Sequence, residues 1–62
     1  MSDRQAELKD HAEKCRWEAL LAMQKAEAAT TDEHRTEFLR VAEHWLKLAS
    51  ELNDIIKLLA GT

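Results

Sequence analysis

Proline is missing from this 62-residue chain and glycine occurs once, at Gly61, so nothing in the interior interrupts a helix. A single cysteine, Cys15, excludes an internal disulfide framework, and no pair of Cys/His clusters has the spacing of a structural zinc site. The longest apolar run, Ala19 to Met23, is far too short to cross a bilayer, and the polar opening Met1-Ser2-Asp3-Arg4-Gln5 has no signal-peptide character. Acidic and basic residues are interleaved in both halves at a formal charge of −3, which leaves no basic stripe to neutralise successive phosphates. Neither nucleic acid nor a membrane is an expected partner, and the unpaired thiol favours a reducing cytoplasm.

What is present is helix-forming: Ala, Leu, Glu and Lys dominate the composition, so the chain is expected to be all-α. Ser2 followed by Gln5 reads as a capping box that starts a first helix near Asp3, and this helix continues to about Ala28. Thr30-Thr31-Asp32-Glu33 is the only cluster of residues that compete for backbone hydrogen bonds, and Thr30 with Glu33 repeats the capping box. The expected division is a first helix over about 3–28, a turn over about 29–32 and a second helix over about 33–60. Gly61 is expected as its left-handed C-terminal cap, with Lys57 at the negative end of its dipole. So short a connection forces the helices antiparallel, making residues 1–62 a single two-helix αα-hairpin. A faint match at an offset of thirty, Ala12-Glu13-Lys14-Cys15 against Ala42-Glu43-His44-Trp45, is no more than two amphipathic helices of similar period produce.

The two helices differ in how they are built. Phe38, Val41, Ala42, Trp45, Leu48, Ala49, Leu52, Ile55, Ile56 and Leu59 follow an unbroken 3-1-3 spacing, and Leu39 and Leu46 widen the stripe to nearly half the circumference. The first helix instead aligns Leu8, Cys15, Ala22 and Ala29 beside Ala12, Ala19 and Ala26, a face of small residues over which the large side chains of the second helix are expected to pack. Trp17, Leu20 and Leu21 project roughly opposite this face, with Met23 to one side. A chain of this length has a marginal core, and a lone hairpin leaves one side of each helix wet. The expected assembly is therefore a homo-oligomer, a dimer first, forming a four-helix bundle or a larger symmetric state. Its interface or core would be Phe38, Val41, Trp45, Leu48, Leu52, Ile55, Ile56 and Leu59, and Trp17, Leu20 and Leu21 would form a second interface or an anchor for another protein.

No constellation dictates a reaction. His11 and Cys15 stand one helical turn apart with Glu7 and Glu18 near them, but two good ligands do not make a metal site unless a symmetry-related pair completes four across a dimer. Otherwise Cys15 acts as a small hydrophobe in the alanine seam, with His11 at its edge. Di-iron bundles require Glu-x-x-His, which occurs nowhere in the chain. His44 beside Glu43, and His34 early in the second helix, point away from any partner of acid–base chemistry, and Ser2 and Ser50 lack a nucleophile-elbow setting. No catalytic residue, cofactor site or metal site is assigned. Trp45 reads as ordinary seam packing opposite small residues, with an indole N–H that needs an acceptor near the boundary.

The segment Ala42-Glu43-His44-Trp45-Leu46-Lys47-Leu48-Ala49, preceded by Thr31-Asp32-Glu33-His34-Arg35 and Phe38-Leu39, and by Glu13-Lys14-Cys15 on the first helix, resembles small helical-hairpin proteins of alphaproteobacteria, a group without an assigned function. Glu33 stands where many of them have proline after the turn aspartate. The resemblance implies a bacterial, cytoplasmic hairpin and transfers no activity. The functional expectation is a non-enzymatic helical protein that self-associates through its second helix as an interaction or regulatory module. The rivals are an adaptor that docks a larger protein through Trp17, Leu20 and Leu21, and a metal- or redox-responsive dimer using His11 and Cys15.

Overall fold

A computed structural model describes residues 2–61, the side chain of Ser2 excepted. It contains two helices, α1 (Ser2–Ala28) and α2 (Asp32–Gly61), joined by residues 29–31. At the α-helical rise they measure about 40 and 45 Å, and the longest dimension of the pair is 47 Å. They therefore lie side by side, and the three-residue connection makes them an antiparallel αα-hairpin.

The turn is held by local hydrogen bonds. The Ala29 N–H donates to the Ala26 carbonyl at 3.2 Å, a tightened bond that closes the last turn of α1. Thr31 caps α2: its hydroxyl accepts from the His34 N–H at 3.2 Å and its carbonyl accepts from the Arg35 N–H at 3.1 Å, as an N-cap residue does. The cap expected at Thr30, with Glu33 returning the bond, thus falls one residue later. With Thr31 as cap the third helical residue is His34, which carries no carboxylate to complete a capping box. Arg35 adds two contacts at the same turn. Its guanidinium donates to Asp32 Oδ1 at 2.8 Å and reaches the Ala29 carbonyl at 3.5 Å, tying the first turn of α2 to the end of α1. The capping box expected at Ser2 involves a side chain outside the described residues.

Charge placement suits the dipoles at three of the four helix ends: Asp3 in the first turn of α1, Lys25 in its last, and Asp32 and Glu33 in the first turn of α2. The last turn of α2 holds no basic residue, Lys57 lying just before it. Gly61 is the final helical residue of α2 and has no positive φ, so the left-handed cap expected there is replaced by continued helix. Glycine permits the left-handed region without requiring it.

The core is made almost wholly of alanine. Ala12, Cys15, Ala19, Ala22 and Ala26 of α1 and Ala42 and Ala49 of α2 are buried, while among the described residues no large side chain is fully enclosed. Cys15 shares a cleft with Trp45 and Leu48, and Met23 shares another with Leu39. Antiparallel pairing through these clefts places Ala12 about level with Ala49 and Ala19 about level with Ala42, to within a residue or two, and all four are at most 3 % exposed. Methyl against methyl lets the backbones approach closely. It also leaves grooves too shallow to swallow a large side chain, so Phe38, Trp45, Leu48, Leu52 and Ile56 are only half-buried at the rim of the seam. The packing of large residues over alanine expected from the sequence is therefore partial, and the layer between the helices is alanine on alanine.

Candidate functional site

The features with chemical consequence are surfaces. On α2 the line Val41, Leu48, Ile55 runs beside the line Phe38, Trp45, Leu52, because residues seven apart return to nearly the same side. Val41 and Ile55 are 46 and 44 % exposed, Leu59 is exposed as well, and the others are half-buried. The seam residues expected to mediate interaction thus share one side of α2, and α1 covers that side incompletely. The Trp45 ring meets the His44 imidazole edge-on at 5.7 Å between centroids.

Two clefts run along opposite flanks of the hairpin. One, of about 450 Å³, is lined by His11, Lys14, Cys15 and Glu18 of α1 and by Trp45, Leu48 and Leu52 of α2. The structure therefore brings the His11 and Cys15 pair onto the same flank as the apolar line of α2. Cys15 forms its buried floor and His11 stays exposed at the edge. The other cleft is lined by Met23, Ala26 and Glu27 of α1 with Arg35 and Leu39 of α2, and the exposed Leu46 continues that flank. Neither cleft is evident in the sequence as a cavity. The signal that could have located them is the pair of lines bordering the seam on each side, where the wide stripe of α2 overhangs the narrow one of α1.

Trp17 stands 60 % exposed on the outer side of α1, with Leu20 and Leu21 also exposed, and a shallow hollow beside it is lined by Asp10, Glu13 and Lys14. This patch faces away from α2. Leu58, at 70 % the most exposed of the large apolar side chains among the described residues, belongs to neither predicted set. It falls off the repeating spacing of α2, which is why periodicity passed over it.

For chemistry the arrangement offers little. Among the described residues no group of three or more His, Cys, Asp and Glu side chains is placed to hold a metal ion. His11, His34, His44 and Ser50 are all exposed to solvent. The ion pair between Arg35 and Asp32 is a surface contact of the turn. No described helix is long and apolar enough to cross a membrane. No protein family, curated protein or solved structure matches the chain.

Proposed function

We propose that this chain is a non-enzymatic helical module that self-associates through α2, with a dimer as its basic unit and an interaction or regulatory role. The observation that carries this reading is the apolar side of α2: Val41 and Ile55 remain nearly half exposed while Trp45, Leu48 and Leu52 are only half covered. Exposed apolar surface of this extent and continuity marks an association site. A hairpin whose own interface is alanine gains little from burial within one copy, since the hydrophobic return scales with apolar area removed from water. Pairing hairpins supplies the missing area and yields a four-helix bundle. The setting we assign is a bacterial cytoplasm, on the sequence resemblance and the free thiol of Cys15. Light scattering after size exclusion, over a concentration series, tests the reading: mass rising to twice that of one chain supports it, and a monomer at every concentration overturns it.

A second reading is favoured by a separate observation, the exposure of Trp17 on the side remote from α2. Tryptophan is a frequent energetic anchor of protein interfaces, and with Leu20 and Leu21 it offers an adaptor surface for a helix of a larger protein. Capture of a partner that is lost on Trp17→Ala, at unchanged oligomeric state, would separate this reading from the first. The metal- or redox-responsive dimer has weaker support: the pair His11 and Cys15 lies on the flank assigned to association. It fails if Cys15→Ala leaves metal content and mass under oxidant unchanged.

A further inference from the structure

The charges bordering the apolar flank follow a pattern that self-association alone does not require. Lys14 and Glu18 line the cleft beside Trp45 and Leu48. Glu7 lies one heptad before Lys14 and Lys25 one heptad after Glu18, so all four follow the same edge of α1. All four are exposed. Read along α1, these four run acid, base, acid, base, and they are antisymmetric about a point level with Arg16: Glu7 and Lys25 are equidistant from that point, as are Lys14 and Glu18, while Arg4 and His11 on the same edge have no charged counterpart across it.

We propose that a second copy of this chain docks flank to flank, about a two-fold axis perpendicular to the helices at the level of Trp45, with Lys14 facing Glu18 and Glu7 facing Lys25 of the other copy. This rests on the self-association reading and specifies its geometry. Three features of the hairpin converge on the axis. The charge pattern places it level with Arg16 of α1, and the hairpin register sets that level across from Trp45 of α2. The axis falls within two residues of the midpoint of each helix, so the two copies overlap along almost their whole length.

Such an axis sets α2 antiparallel to α2, and the apolar line then matches itself. Trp45 meets Trp45, Val41 faces Leu48 and Phe38 faces Leu52, each from opposite copies. The alternative two-fold, parallel to the helices, would seat the apolar line of α2 on the charged edge of α1 and bury Lys14 and Glu18 without partners, which is costly. An isologous interface of this kind closes on itself and stops at the dimer. Trp17, on the outer side of α1, stays outside it.

The test is a pair of charge-reversed chains. Lys14→Glu with Lys25→Glu makes all four positions acidic, and Glu7→Lys with Glu18→Lys makes all four basic. Each chain alone then sets like charges against each other at four places across the dimer, and its self-association should weaken by roughly tenfold or more. Mixed in equal amounts, the two should form a heterodimer of wild-type mass or better, and they should regain helix by circular dichroism if either alone has lost it. Rescue by mixing cannot come from pairs within one helix, because each helix keeps its reversed charges. A wild-type dimer whose reversed chains each keep wild-type affinity, or whose mixture forms no heterodimer, overturns this geometry and leaves self-association standing. A wild-type chain that stays monomeric overturns both.

Discussion

Alanine decides how closely this molecule packs, and single methyl groups are its most sensitive points. Ala19 is fully buried, about level with the buried Ala42 of α2. A leucine there has no groove to enter and must push the helices apart, so Ala19→Leu should destabilise the fold by about 1–3 kcal/mol. Ala28→Leu, on an exposed site of the same helix, should change stability by about 0.5 kcal/mol or less. Urea titrations of both variants at one fixed chain concentration would measure the difference. The small-residue seam is legible in the sequence, because Leu8, Ala12, Cys15, Ala19, Ala22, Ala26 and Ala29 alternate spacings of four and three. The depth of each site is not. Periodicity assigns Trp45 to the seam, but whether its ring is enclosed depends on the room left opposite, and an alanine face leaves too little.

Each helix is specified mainly by what its residues allow and by how its ends are tied. Helix existence and extent follow from the lack of interior proline and glycine, and the structure places α1 and α2 within a residue or so of the expected limits. The ends are where local chemistry offers alternatives of similar energy. Thr30 and Thr31 are equally good caps by type, and it is Thr31 that accepts the His34 and Arg35 N–H bonds. Thr31→Ala should therefore cost about 1 kcal/mol through loss of the hydroxyl acceptor for the His34 N–H, whereas Thr30→Ala should leave the thermal midpoint nearly unchanged. The Arg35 to Asp32 pair is itself exposed, with Asp32 95 % accessible, and its direct contribution is about 0.5 kcal/mol or less.

The hairpin as a unit carries more apolar surface than its two helices can hide from water. Covering a half-exposed Val41, Trp45, Leu48, Leu52 or Ile55 gains about 1 kcal/mol each, or about 10 kcal/mol for two copies. Association costs at least about 4 kcal/mol, which leaves at most about 6 kcal/mol and a dissociation constant of about 40 μM or weaker. Trp45→Ala removes the largest of these contacts from both copies and should weaken the dimer by about thirtyfold or more, read as a shift of the mass curve to higher concentration. Trp17→Ala, on the outer side of α1, should leave that curve in place while abolishing capture of any protein partner. The charged edge on which the proposed pairing rests is present in the sequence as Glu7, Lys14, Glu18 and Lys25. It could not be recognised there, because its meaning depends on which level of α2 stands across from Arg16. The most direct test of self-association through α2 is the molar mass of the wild-type chain by light scattering, measured up to about 1 mM. A concentration-dependent rise that levels at twice the single-chain mass is the expected result, and a mass that stays at one chain throughout would contradict it.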